Sequence, residues 1–427
     1  EGNLIVVGAP YDSQAGFQSG AAYVFRTTDS GTSWNQVAKL VASDAAFGHE
    51  FGHAVAVSGY TIVIGGRANA AYVFESTDRS RTSWEQVAKL VASDAATYDF
   101  FGRTVAISGD DVIIGASGKD SRGAVYAFQK EAAGWVEAAK LISPNPVVDG
   151  AFGTAIAIDG GTIVVGQPGM QHIVYESASE AYTFRKTPDG PGWATEGTAL
   201  APDPSSSMPM AGEDPMIFSF GRTVAISGNR IVVSLVYQPR ASCNLEWGAV
   251  EQFSTTDSAS WTRIGRIFDS YPSFGGALAI GGDSIIVGYS STQQAAQAHI
   301  FDSEAFRTST SGQRWAPIPD TATKLEGSAG ETVRAMAASE SGNIVVVGRS
   351  RASRSASVFR KVEGGTWTPP TTLVPNDGLG MNFGVAVSIS WEGNLIVVGA
   401  SQDSQAAYHS GAAYVFRTTD SGTSWNQ

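Results

Sequence analysis

Apolar residues along this chain come in short bursts separated by glycine-rich turns, and the bursts follow a fixed order. An alternating stretch headed by Phe-Gly, as in FGHAVAVSG (51–59) or FGRTVAISG (101–109), runs directly into a continuous Val/Ile segment such as TIVIGG (61–66) or DVIIGA (111–116). After a loop of variable length comes a third run, AAYVF (70–74) or AVYAF (124–128). After a turn comes a Trp-led fourth, WEQVAKL (84–90) or WVEAAKL (135–141). Strict alternation predicts a strand with one buried face, and an unbroken apolar run predicts a strand covered on both faces. The spacers are too short for crossover helices, so the four runs predict an antiparallel meander.

This order recurs from seven starts: 51–59, 101–109, 152–160, 220–228, 274–282, 332–342 (where Phe-Gly is lost) and 383–393. A four-stranded sheet of this size cannot stand alone, and repeated sheets stacked face to face predict a β-propeller, an all-β fold. Eight of the ten Trp hold one repeat position (34, 84, 135, 193, 261, 315, 367 and 425), which predicts packing between blades. Residues 1–36 return almost unchanged as 392–427, differing only at Pro10/Ser401, Tyr11/Gln402, Gly16/Ala407, Phe17/Tyr408 and Gln18/His409. The 391-residue offset spans seven blade motifs. The expectation is therefore a seven-bladed ring over 1–391, closed by pairing 383–390 with 1–50, with 392–427 beginning a next propeller or forming a swapped blade. In another frame 383–427 closes the ring and 1–50 lies outside it. An eight-bladed ring using everything is the third alternative, and its first blade would lack an inner strand.

Phe-Gly followed by VAISG, TIVVGA-like runs and GAAYVF resembles the FG-GAP repeat of integrin-α-like propellers. The turn at 27–34, TTDSGTSW, repeated at 418–425, resembles the Asp-box hairpin of sialidase-type propellers, with partial versions at Asp78, Asp257 and Gly312/Trp315. An Asp at the head of such a turn accepts backbone N–H bonds while Gly supplies positive φ, so the hairpin implies no chemistry. The integrin resemblance implies calcium between strands one and two, but that connection here is a tight turn such as 108–111, with too few oxygens. The cofactor expectation is none, with Asp12, Asp120 and Asp403 in the strand-two-to-three loops as weak calcium candidates.

The net charge of −12 leaves no basic stripe for a phosphate backbone, which excludes nucleic-acid partners. No apolar stretch reaches the about 20 residues a membrane-spanning helix needs. The chain has no signal peptide and no initiator Met, which predicts a mature or excised segment of something longer. Cys243 is the single cysteine, so it is a candidate for an intermolecular disulfide. His49-Glu50-Phe51-Gly52-His53 matches HExxH, but it straddles a loop and a strand start, where a zinc-binding helix would break the blade. No triad or paired carboxylates recur, and the Arg-Ile segments at 230 and 263 do not suit a sialidase. The expectation is a protein without enzymatic activity.

Three long loops, 167–180, 201–219 and 235–248, should emerge on one rim, because strand-two-to-three loops and interblade crossovers share a face. They carry Tyr175, Met208, Met210, Tyr237, Arg240 and Trp247, which make the candidate partner-binding surface. The leading functional reading is an extracellular or cell-surface structural module of a tandem-repeat protein. Its partners would be other propeller units, matrix proteins or glycans, and it could build a fibre. The alternatives are a soluble receptor-like module using the loops at 167–248 and a sialidase-like glycosidase.

Overall fold

The computed structural model describes residues 3–169, 179–187, 192–201, 217–238, 247–257, 260–269, 274–289, 295–302, 322–329, 332–350, 355–378, 382–403 and 411–427. Eight antiparallel meanders, each strand bonded to its sequence neighbour, stand side by side as blades. They cover residues 4–40, 54–90, 101–141, 155–200, 217–269, 277–329, 332–373 and 383–417, here blades 1 to 8. The seven-bladed count is thereby corrected to eight. Residues 383–389 pair with 395–400 of their own blade rather than with the N-terminal segment. The two near-identical ends occupy adjacent slots of one ring: Arg417 Nη1 of blade 8 donates to Thr32 Oγ1 of blade 1 at 3.0 Å. The count of seven failed because it treated recurrence of a sequence as recurrence of a slot. As the eight-bladed alternative anticipated, blade 1 has no inner strand among the described residues; blade 8, which that alternative did not single out, has three strands.

The hydrophobic pattern explains the stacking. Second strands such as Thr61–Gly65, Asp111–Ala116 and Thr162–Gln167 are buried at every position, because each blade face is covered by a neighbour. Seven apolar clusters each join two consecutive blades, from blades 1 and 2 round to blades 7 and 8. Six of the eight repeat Trp join these clusters, Trp84, Trp135, Trp193, Trp261, Trp367 and Trp425 each packing at the interface with the preceding blade, whereas Trp34 is half-buried and joins none among the described residues. Trp315 lies outside the described residues.

Phe-Gly has a physical role in each copy. The Phe is fully buried and meets the third strand's aromatic rings edge-on, as Phe101 does with Tyr126 (5.5 Å) and Phe128 (6.1 Å). The Gly sits at φ near +90° (Gly52 93°, Gly102 92°, Gly153 90°, Gly384 91°), where an L side chain is strained. The inner strand bulges there, as the register break between Phe101 and Thr104 records. The kinked Gly carbonyl then presses on the preceding blade's second strand. A Cβ on Gly65 would lie 1.9 Å from the oxygen of Gly102. That contact explains why the Val/Ile run ends in glycine.

Candidate functional site: the loop face

Strand-two-to-three loops and interblade crossovers do share one face, and backbone bonds join them from blade to blade. Gly48 N donates to Phe17 O (3.1 Å), Arg67 N to His49 O (2.7 Å), Gly118 N to Asp99 O (3.0 Å) and Gly169 N to Gly150 O (3.0 Å). Loops tied this way form a rigid rim. On it, large aromatic side chains point outward: Phe17 is 60% exposed, Phe47 75% and Tyr98 76%. Phe17 and Phe47 stack on each other at 5.7 Å, and the Arg103 guanidinium lies over Phe100 at 4.3 Å. Side-chain packing on this face thus leaves a run of rings over blades 1 to 3 uncovered.

Sequence reasoning placed the recognition surface elsewhere on this rim. Tyr175, Met208, Met210, Arg240 and Cys243 lie outside the described residues. Tyr237 and Trp247 are register partners at the loop-face end of blade 5's middle strands, so the backbone places them side by side. Phe17, Phe47 and Tyr98 were missed because loop aromatics carry no periodic signal. A hint existed: position 17 keeps an aromatic in both terminal copies, as Phe17 and Tyr408, although neighbouring loop positions change.

The acids of this face are tied down by the third and outer strands. Asp12 accepts from Tyr23 Oη (2.6 Å) and Lys39 Nζ (2.9 Å), Asp44 from Tyr72 (2.7 Å) and Lys89 (2.6 Å), and Asp94 from Tyr126 (2.6 Å) and Lys140 (2.6 Å). The Tyr and Lys stand opposite each other in register, which is why the repeat carries both AAYVF and VAKL. Burial pushes the Asp94 carboxyl up, but bonds from Lys140 and Tyr126 with the nearby lysine charges outweigh it and bring it down to about 2. In blade 5 the pair becomes Glu251 opposite Arg266, joined in a fully buried ion pair.

The three calcium candidates fall in different blades. Asp12 is bound as described, and Asp403 is buried with Tyr414 Oη donating to it at 2.8 Å. Asp120 is exposed in a short 3₁₀ turn at φ 49°. Among the described residues no group of three His, Cys, Asp or Glu side chains could hold a metal. His49 to His53 is loop and strand start rather than helix, and Glu50 pairs with Arg67 at 3.0 Å.

On the opposite face, the turns before Trp34, Trp84, Trp261 and Trp425 fold onto their own Asp. Asp29 takes Ser33 N (2.9 Å), Ser33 Oγ (2.6 Å) and Thr27 Oγ1 (2.7 Å), and Asp420 repeats the set with Ser424 and Thr418. These bonds hold both carboxyls well below the ordinary range. Each hairpin also clips onto the blade before it: a Cβ on Gly31 would meet Leu395 at 2.6 Å, and one on Gly422 would meet Ile344 at 2.8 Å. A cavity of about 490 Å³ opens here between blades 8, 1 and 2, lined by Arg26, Arg79, Arg81 and Tyr60 among others. Arg81 spans it, donating to Asn3 Oδ1 at 3.3 Å with its guanidinium over Tyr60 at 4.4 Å.

A ring of antiparallel meanders, six of them four-stranded, with a knitted, aromatic-bearing rim defines a β-propeller of the kind suited to protein–protein contact. The FG-GAP repeat family matches residues 34–76, 84–128, 135–184 and 367–416, and the chain fits the FG-GAP β-propeller family. Each match begins at or near the Trp of an outer strand and ends in or just after the next blade's third strand, so the family's frame straddles the blade boundary. No curated protein sequence is detectably similar to the chain. Among solved structures, the crystal structure of the Chaetomium thermophilum Sqt1 is similar with a TM-score of 0.60 at 13% identity, covering 98% of this chain and 93% of that one. The crystal structure of the mitotic checkpoint complex gives a TM-score of 0.48 at 11% identity, covering 82% of this chain and 87% of that one. No helix among the described residues is long and apolar enough to cross a membrane.

Proposed function

We propose that this propeller is a non-enzymatic adhesion module of an extracellular or cell-surface repeat protein, contacting protein or glycan partners through its loop face. The observation that carries the reading is the outward display of Phe17, Phe47 and Tyr98 on loops fixed by interblade backbone bonds. Rigid aromatic rings give contact area at low entropic cost, so a preformed patch binds without an ordering penalty. FG-GAP repeats are typical of extracellular proteins, which supports that location. The carboxylates of the same face serve Tyr and Lys partners, which favours display over catalysis. The receptor-like alternative rests on Tyr237 and Trp247, held together at the same face of blade 5.

The test is binding of the purified protein to arrayed glycans and matrix proteins, beside the variant Phe17→Ser/Phe47→Ser/Tyr98→Ser. The proposal expects saturable wild-type binding that falls by about tenfold or more in the variant, from loss of buried aromatic area. Equal binding by both proteins refutes the aromatic face. Turnover of aryl-glycosides or sialosides refutes the non-enzymatic reading.

A further inference from the structure

The first strands of the blades line the central channel, and their ionisable residues are few and regularly placed. Among the described first strands, 54–58, 101–108, 155–159, 217–227, 277–281, 332–338 and 383–389, only Arg103, Asp159, Arg222 and Arg334 are charged. The three arginines share one level. Val105, Val224 and Met336 pair with Ile114, Val233 and Val347 of the second strands, and an arginine stands two residues before each. That is the loop-face end of the strand, where the interblade crossover enters it. Blades 3, 5 and 7 are alternate members of an eight-bladed ring, so the arginines stand about a quarter-turn apart round the channel mouth. Thr104 Oγ1 donates to Gly153 O of the next blade (3.0 Å), and Thr223 Oγ1 to Gly275 O (2.8 Å). Arg103 and Arg222 therefore leave the other side of their strands in one frame, FGRTVAIS in both copies.

These cations differ from the others on the loop face. Lys39, Arg67, Lys89, Lys119 and Lys140 each pair with an acid of the same face. Arg103 and Arg222 pair with no carboxylate among the described residues, and Arg103 rests on the Phe100 ring at 4.3 Å with its Nε unbonded. Arg222 and Arg334 are exposed, and Arg103 is half-buried. The far end of the channel has the opposite sign. Asp110, Asp159, Asp283, Glu340 and Glu392 lie in or beside the strand-one-to-two turns there, with Arg230 answering Asp283 at 2.8 Å. A protein of net charge −12 thus carries a localised positive mouth. A concave site lined by one sign focuses its field and draws counter-charge to it.

We propose that the loop-face mouth of the channel receives an acidic polypeptide segment, an Asp/Glu-rich tail or loop tip of a partner protein. The inference rests on the loop-face reading above and deepens it by naming the partner's chemistry. Guanidinium forks match carboxylates in bidentate pairs. The arginines surround an axis rather than follow a groove. A polymer laid across the face reaches two of them at most, whereas a chain tip entering on the axis turns its carboxylates toward all three. Charge complementarity steers and orients the partner, and the exposed rings of Phe17, Phe47 and Tyr98 meet its body.

The probe is a fluorescein-labelled hexaglutamate peptide, titrated into the full chain and read by anisotropy at two ionic strengths. The proposal expects saturable binding at roughly 100 micromolar or below, weakened by salt. Arg103→Gln/Arg222→Gln should bind about tenfold more weakly, from loss of two exposed charge pairs. Lys130→Gln/Lys361→Gln changes net charge equally but removes cations paired with Glu75 and Asp302, and it should bind as wild type does. Melting temperatures of both variants confirm that each is folded. Equal binding by the arginine variant overturns the proposal, as does an equal loss in the lysine variant or no saturation below about 1 mM. Tighter binding of hexagalacturonate than of the peptide also overturns it, because a glycan would then be the occupant. The variant Phe17→Ser/Phe47→Ser/Tyr98→Ser should keep peptide binding, so the aromatic face and the charged mouth fail separately.

Discussion

The packing at the blade interfaces predicts that two phenylalanines will differ sharply in what they contribute. Phe101 is fully buried between blades 2 and 3 and meets Tyr126 and Phe128 edge-on. Truncation to Ala removes the ring from a site closed on all sides, which costs about 3–5 kcal/mol. Of that, the two ring contacts account for about 0.5–1.5 kcal/mol each. Phe25 holds the position of Phe128 but is half-buried, with no Phe-Gly strand beside it among the described residues. Its truncation should cost only about 1–2 kcal/mol, in proportion to the apolar area it hides. The assay is urea denaturation followed by Trp fluorescence, since Trp84 and Trp135 report on the blade 1–2 and 2–3 interfaces. The midpoint shift is converted with a common slope, and an altered slope in either variant would disqualify the comparison. Equal losses in Phe101→Ala and Phe25→Ala would refute the claim that burial of the ring sets the difference between them.

Two further predictions concern the repeat's fixed polar and glycine positions. The folded Asp94 carboxyl lies at about 2, below its unfolded value near 4, so its contribution is present above pH 4 and is lost as pH falls through 2. Asp94→Asn should flatten the acid limb of stability in that window and cost no more than about 1 kcal/mol at neutral pH, because the pair is partly solvent-screened; an unchanged acid limb would count against it. Gly102→Ala should destabilise by about 1–3 kcal/mol from its φ of 92° alone, with a further loss because the added Cβ meets Ala70 O at 2.5 Å. A melting temperature within a degree of wild type would show that the Phe-Gly kink tolerates a side chain.

Blade architecture was legible in the chain because both strand periods are local. Alternation in FGRTVAISG and continuity in DVIIGA each follow from how many faces of a strand are covered. The Phe-Gly glycine was visible as a repeat, yet its cause was not, since the contact of Gly102 O with Gly65 joins residues of different blades. The loop-face aromatics were equally hidden, because nothing in the sequence says whether Phe47 folds inward or out. Blade number was misjudged for a related reason: a repeat period counts motifs, whereas ring closure depends on blade twist and on which edges meet.

One hexapeptide separates the two kinds of information. LIVVGA occurs twice, as Leu4–Ala9 and Leu395–Ala400, and in both places it forms the second strand of a blade, as its β-branched run dictates. Val398 is fully buried, while its twin Val7 is only half-covered. The sequence alone determined strand, register and face. Burial was decided by tertiary structure, because it depends on whether a Phe-Gly strand and a neighbouring blade stand against that face, and six residues cannot encode what lies beside them.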